Sequence, residues 1–322
     1  MNASENNTSV SIVVPVYNGA ATLPELVTRV RSTLTPLVAD FELILVNDGS
    51  KDQSWSVIES LAGEDPAVLG LNLMHNYGQH NALLAGIMRA SHRIIVTMDD
   101  DLQHPPEELP NLLEAIRQGH DVAYGKPVKR EHTLWRNLSS RIIKGSLRIA
   151  LGADMAEKSS AFRAFRGELK KGFARFSDAQ VSIDVLLSWT ADRVARVEVE
   201  HHPRKQGRSG YSLRKLLGLT LSMVTGYSTL PLRVASGLGL LSAGFGLGLF
   251  VYVVVKRLLQ ETYVPGFTFL AAAIALFAGL QLFTMGVIGE YLARVHFRTM
   301  GKPAFVVRSE VGEKSHTKEH TL

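Results

Sequence analysis

At 322 residues, with 46% of them hydrophobic and 20% charged, the chain is long enough for a full globular core and something more. Its formal net charge of +5 is modest, and with no basic recognition helix or aromatic RNA-binding motif it argues against nucleic acid as a partner. The absence of Cys excludes disulfides and thiolate metal sites.

Residues 1–9 are polar without an apolar core, which predicts a disordered tail rather than a signal peptide. Val10–Val16 reads as a buried strand ending in Pro15-Val16-Tyr17-Asn18-Gly19, and Leu23, Leu26, Val27 and Val30 then recur at helical spacing. Phe41–Val46 is a second strand, closed by Asn47-Asp48-Gly49-Ser50, with Asp52 placed to cap a second helix. Val68–Met74 is a third, leading into His75-Asn76-Tyr77-Gly78-Gln79-His80 and a helix over Asn81–Ala90. Arg93–Val96 is a fourth, followed by Thr97-Met98-Asp99-Asp100-Asp101-Leu102-Gln103-His104-Pro105-Pro106, a helix to Gln118 and a strand at Asp121–Tyr124. Val194–Glu200 alternates and reads as another strand. Strands and helices in this alternation predict an α/β fold, a Rossmann-like and mostly parallel sheet with helices on both faces.

The polar, Gly-containing segments all follow strands, so they share the rim where open α/β sheets bind ligands. Asp48 is suited to accept the imino N–H of a uracil, Tyr17 to lie against a flat base and Asn18 to bind ribose, while Gly49 and Ser50 permit close approach. Gly78 leaves room for a phosphate or sugar, with Gln79 or His80 in reach. Singly, Asp-Gly-Ser is a turn and a lone His is structural; recurrence on successive strand ends is what points to a nucleotide site. Asp99, Asp100 and Asp101 repel one another, which calls for a cation or shifted pKa values. Oxygen donors without Cys select Mg²⁺ or Mn²⁺.

No charged residue occurs from Val234 to Val255 or between Thr262 and Gly289, and about 20 helical residues cross a bilayer core. Two transmembrane helices are therefore expected, at 233–257 and 264–290 within a hairpin at 231–295. Arg204, Lys205, Arg208, Arg214, Lys215 and Arg233 precede the pair, and Arg294, Arg298 and Lys302 follow it. The positive-inside rule puts both flanks, a catalytic domain at 10–208 and a C-terminal tail at 296–322, in the cytoplasm, making a multi-pass inner-membrane protein. Leu213–Tyr227, within a juxtamembrane segment at 209–230, suits an amphipathic helix in the interface. Gly244 and Gly248 form a GxxxG step able to pack helices within one subunit or in a homo-oligomer. The basic, Gly-containing segment His201–Ser212 is suited to close over a diphosphate, and the polar stretch Ser309–Leu322 reads as a mobile tail.

Val14-Pro15-Val16-Tyr17-Asn18, Asn47-Asp48-Gly49-Ser50, Asn76-Tyr77-Gly78-Gln79-His80 and Asp99-Asp100-Asp101-Leu102-Gln103, in this order, resemble the family 2 glycosyltransferases of the GT-A fold. With the Arg204–Tyr211 loop, Gly289-Glu290-Tyr291 and a C-terminal hairpin, the likeness extends to the polyprenyl-phosphate branch. That branch includes dolichol-phosphate mannose synthase, bacterial polyprenyl-phosphate glucosyltransferases and undecaprenyl-phosphate 4-deoxy-4-formamido-L-arabinose transferases. The resemblance implies inverting transfer of a sugar from a nucleotide donor, UDP-linked by the presence of Asp48, to a polyprenyl monophosphate such as undecaprenyl phosphate, for cell-envelope glycan or lipid A modification. By it Asp99, Asp101 and Gln103 bind Mg²⁺ or Mn²⁺. Pro15, Tyr17, Asn18, Asp48, Ser50, Asn76, Gly78, Asp99 and Asp100 bind the nucleotide. His80, Arg163, Ser209 and Tyr211 face the sugar or acceptor phosphate, and Asp101, Arg204 and Glu157 are catalytic. Asn47 stands where many members carry Asp, Gly19 where many carry Glu, Glu157 where the arabinose-transferring relatives carry Asp, and Gly210 in place of a Lys. The changes at Glu157 and Gly210 bear on the sugar more than on the reaction. Two other readings are a processive polysaccharide synthase, for which a Gln-x-x-Arg-Trp motif and more spans are missing, and a non-catalytic membrane scaffold or lipid-translocation protein.

Overall fold

The computed structural model describes residues 8–127, 159–173, 182–200, 202, 228–259 and 266–312. The expected disordered tail (bar its last two residues), the interfacial helix, Glu157, Arg204, Ser209 and Tyr211 lie outside them. The chain divides into an α/β unit, from Met1–Leu138, Leu151–Gly210 and Gly301–Leu322, and a helical unit, from Ser139–Ala150 and Tyr211–Met300.

The α/β unit runs β1 (Ser9–Val16), α1 (Leu23–Leu34), β2 (Asp40–Asn47), α2 (Ser54–Glu64), β3 (Val68–Leu73), α3 (Gln79–Arg89), β4 (Ile94–Thr97), a 3₁₀ turn (Pro106–Glu108), α4 (Leu109–Arg117) and β5 (Val122–Pro127). After these come β6 (Arg163–Arg166), the short α5 (Lys170–Phe173), α6 (Ile183–Thr190) and β7 (Val194–Val199). The helical unit contributes α7 (Leu230–Leu259) and α8 (Phe267–Thr299), and β8 (Val307–Val311) closes the order. The sheet is ordered β7-β5-β6-β4-β1-β2-β3-β8.

β1 is buried from Val10 to Val16 because both of its faces are covered. Val10, Ile12, Val14 and Val16 join α1, α2 and α4 in one core, and Val13 joins α3, α5 and α6 in the other, as the two-residue strand period requires. The sheet is less uniformly parallel than its hydrophobic runs suggest. β1, β2, β3 and β4 pair in parallel, but β6 runs antiparallel to both β4 and β5, and β8 antiparallel to β3.

The far rim is fixed by a buried acid. Glu42 is 2% exposed, and its Oε1 accepts from Ser11 Oγ (2.6 Å), Ser91 N (2.6 Å) and Ser91 Oγ (2.9 Å), joining β1, β2 and the entry to β4. Burial alone would raise its pKa, but these donors outweigh it and hold the carboxyl below the usual range. A depressed carboxylate stabilises the fold above its unfolded pKa and loses that contribution as pH falls through the folded value. Glu42→Ala is expected to cost about 2–3 kcal/mol at neutral pH in urea unfolding, with the difference shrinking in acid.

β8 corrects the expectation of a mobile tail from Ser309. Gly70, Leu71, Asn72 and Leu73 pair with Val311, Glu310, Ser309 and Val307, and Arg89 Nε meets Glu310 Oε2 at 3.2 Å. A charged edge strand of this kind resists further strand addition. It also means that the chain leaves the α/β unit after β7 and rejoins it after α8.

In the helical unit α7 and α8 have 30 and 33 residues, about 45–50 Å at 1.5 Å per residue. Pro231–Tyr252 and Leu276–Ala293 are long and apolar enough to cross a membrane. Leu240, Leu241 and Phe245 are 77%, 73% and 63% exposed, unlike residues of a soluble protein's core helix. The helices approach at Gly246, where an added Cβ would stand 3.3 Å from Phe277 Cζ. Gly244 and Gly248 have nothing within 4 Å of that position among the described residues, so the GxxxG step is not the contact inside this hairpin.

Candidate active site

The chain passes from β1 to β2 and β3 on one side, then returns to place β4 on the other side of β1. The carboxyl ends of β1 and β4 thus flank a topological switch point, where such sheets bind ligands. The β1–β4 ladder ends at Val13–Thr97, and Pro15, which has no N–H to donate, stands two residues beyond it where the strands part.

Hydrogen bonds tie the rim loops together. Asn18 has φ 55°; its N–H donates to Ser50 Oγ (3.0 Å), and its Oδ1 accepts from Lys51 N (2.9 Å). Gly19 N donates to Ser54 Oγ (3.0 Å) and Ala20 N to Asp52 Oδ2 (3.2 Å). These contacts order the loop and leave Tyr17 48% exposed on the rim.

Asp48 is 3% exposed, and its carboxylate accepts from Tyr77 N (2.7 Å) and Gly78 N (2.9 Å), while Asn76 Nδ2 donates to the Asp48 carbonyl (3.0 Å). Burial raises its pKa, with the two N–H groups opposing. The side chain expected to meet a base therefore holds the β3–α3 loop. Gly49 makes this packing possible: its φ is +63°, and a Cβ there would lie 2.6 Å from Asn76 N. Gln79 Nε2 continues the network to Asp99 Oδ1 at 2.6 Å.

The acidic segment divides. Leu102 takes φ 57° while its side chain is 3% exposed in the core, so burial of about 1.5–3 kcal/mol offsets a left-handed backbone. That turn folds Gln103 back onto Asp101: its backbone N–H donates to Oδ1 (3.1 Å), and its side-chain amide donates to Oδ2. Gln103 therefore orients Asp101, the neighbouring member of the set expected to hold a metal. Asp100 turns toward Gly19 and Tyr17, and burial, reinforced by the charges of Asp99 and Asp101, pushes its carboxyl up to about 7. His202 N donates to Gln103 O (2.9 Å), which brings the entry to the basic Gly-containing segment beside the acidic one.

Arg163 and His80 lie deeper. Arg163 is 1% exposed; Nη1 meets Asp184 Oδ1 and Nε donates to Thr97 Oγ1 (2.9 Å), which itself donates to Ala161 O (2.9 Å). His80 Nδ1 faces Ile183 N at 3.4 Å, and burial lowers its pKa, with Asp184 opposing and Arg163 adding. Arg163 is enclosed, while His80, expected with it to face the sugar or acceptor phosphate, is half-buried. Asp184, with no assigned role in the sequence reading, was signalled by Ser182-Ile183-Asp184, an N-cap residue and a first-turn acid ahead of Val185-Leu186-Leu187.

A family model described as Glycosyl transferase family 2 matches residues 11–173. A Pseudomonas aeruginosa (strain PAO1) protein named undecaprenyl-phosphate 4-deoxy-4-formamido-L-arabinose transferase is 35% identical over 305 residues, 94% of this chain and 90% of that one. The chain belongs to glycosyl transferase family 2. Proteins of the same name from Proteus mirabilis and Yersinia enterocolitica are 34% and 35% identical, covering 99% and 97% of this chain and 98% and 96% of theirs. Glucosyl-3-phosphoglycerate synthase from Mycobacterium tuberculosis, solved with Mn²⁺, UDP-glucose and phosphoglyceric acid, matches at TM-score 0.51 and 17% identity over 68% of this chain and 78% of its own. That likeness is one of fold. The α/β unit has the GT-A architecture, and the chain is a glycosyltransferase.

The donor set suits a hard divalent cation. Among the described residues no three His, Asp or Glu side chains converge as a cage. Asp99 and Asp101 supply the kind of one- or two-carboxylate site that Mg²⁺ or Mn²⁺ completes with water and phosphate oxygens. The like charge that raises Asp100 is what such a cation would relieve.

Proposed function

We propose that this glycosyltransferase moves a single sugar from a UDP-linked donor to a polyprenyl monophosphate at the cytoplasmic face of a membrane. The observation that carries the reading is Asp99 and Asp101 at the β1/β4 switch point, in a chain whose α/β unit is interrupted by two long apolar helices. The names of the relatives support undecaprenyl phosphate as acceptor. If both helices cross the bilayer, β7 and β8 emerge on one face, as their shared sheet requires, and basic flanking residues favour the cytoplasmic one.

Asp99 and Asp101 would hold a divalent cation, which supplies charge neutralisation for a departing diphosphate. Tyr17, Asn18, Ser50, Asn76 and Gly78 form the nucleotide side of the rim, with Pro15 and Asp48 shaping it from below. Arg204, two residues beyond His202, is assigned to the diphosphate, and Glu157, Ser209 and Tyr211 to the acceptor side. In the single displacement, an acceptor phosphate oxygen forms the new bond to the anomeric carbon as the bond to the donor's β-phosphate oxygen breaks. Configuration inverts and UDP leaves. The acceptor is already an anion at neutral pH, so positioning and charge stabilisation carry the chemistry rather than a strong base.

A screen of nucleotide sugars against undecaprenyl phosphate with Mn²⁺, read by mass spectrometry of the lipid, tests the reading. One UDP-linked donor is expected to add a single glycosyl mass to the lipid phosphate. A long glycan would identify a processive synthase, and no product with any donor would overturn undecaprenyl phosphate as the acceptor.

A further inference from the structure

Gly19 is glycine for reasons of space. Its φ lies outside the left-handed region, yet an added Cβ would stand 2.2 Å from Asp100 Oδ2 and 3.1 Å from Asp100 Cγ, with Val16 Cγ1 at 3.5 Å forming the other wall. The carboxyl of Asp100 thus fills a notch that only a missing side chain leaves open. On its other side, the 18–20 loop is already held by Ser50, Lys51, Ser54 and Asp52. Asp100 is therefore the tie between this loop and the segment bearing Asp99 and Asp101.

We infer that Asp100 is a positioning residue: seated against Gly19, it locks the Tyr17–Gly19 loop to the Asp99–Asp101 segment and keeps the nucleotide and metal halves of the rim in register. This rests on the glycosyltransferase reading of the site, with UDP as donor nucleotide. The atom that would yield to a Cβ at residue 19 is the tip of a side chain, so Gly19→Ala displaces Asp100 and leaves the core intact. Its effect should appear in ligand affinity rather than in unfolding temperature.

The test uses the full chain in detergent and calorimetric titration with UDP in the presence of Mn²⁺, beside thermal unfolding and KM for the donor. Gly19→Ala and Asp100→Ala are each expected to weaken UDP binding about tenfold, equivalent to about 1.4 kcal/mol of lost positioning, with little change in unfolding. The double variant should bind no worse than Asp100→Ala, because both changes remove the same contact. Asp100→Asn, which keeps a planar group of the same size in the notch beside Gly19, should recover most of the affinity. Wild-type affinity in Gly19→Ala, or multiplicative losses in the double variant, overturns the inference while the functional reading stands. A wild-type chain that binds no UDP overturns both.

Discussion

Asp101→Ala is expected to reduce sugar transfer about 10³-fold, the order lost when a preorganised electrostatic group is removed from a reacting centre. Its Oδ1 and Oδ2 are fixed by the backbone and side-chain N–H groups of Gln103, which the left-handed Leu102 turns back toward it. Such preorganisation means the carboxylate needs little rearrangement to meet a cation. Asp101→Asn keeps the size and much of the hydrogen bonding but loses the charge, so it should fail nearly as badly. The metal-free protein should not suffer in either case. Asp101 is one of two neighbours whose charge opposes ionisation of Asp100, and its removal relieves that repulsion. Unfolding in a chelator at an unchanged or higher temperature, with Mn²⁺ binding lost, is the expected pattern. Normal turnover in Asp101→Ala would sink the metal assignment.

The parts of this fold legible in the sequence are those in which local pattern and tertiary role coincide. β1 to β4 are continuous apolar runs because both faces are covered, and the polar segments after them share one rim because parallel strands must. β6 escaped notice: four residues, Arg163–Arg166, carry no period, and their reversal of direction depends on neighbours in β4 and β5. β8 escaped because an edge strand bearing Arg308 and Glu310 has the composition of a solvated tail. The pattern placed Asp48 at the carboxyl end of β2, where it lies, but could not reveal its partners. Its carboxylate is captured by N–H groups of Tyr77 and Gly78, a long-range pairing set by Gly49. Gln103 followed the same course. The residue type fits a metal, and only the backbone turn at Leu102 shows that its amide is aimed at Asp101. Composition points to a rim, while loop dihedrals decide which polar atoms on it are already paired.

Arg163→Ala should be the most destabilising single change in the α/β unit, at about 3–5 kcal/mol, because it leaves Asp184 charged and without its cation in a largely buried place. The guanidinium is 1% exposed at the side chain and Asp184 15%, so solvent cannot replace the lost partner as it would at a surface pair. The pair also fastens the first turn of α6 to the ends of β4 and β6 through Thr97, two residues before Asp99. The buried Tyr124 hydroxyl, its pKa pushed up first by burial and then by the charge of Asp184, is a neutral group and cannot replace the lost cation. Arg163→Met combined with Asp184→Leu removes both charges and should unfold at urea concentrations well above those of Arg163→Ala, since an apolar pair of similar volume can be nearly neutral. Transfer activity of the folded double variant then separates two roles. Retained kcat with a wild-type acceptor KM would make Arg163 a structural residue of the rim. A raised acceptor KM at unchanged stability would show that its charge acts on the lipid phosphate from beneath the site. If Arg163→Ala itself unfolds at the wild-type urea midpoint, the ion pair does not hold α6, and the argument from burial fails.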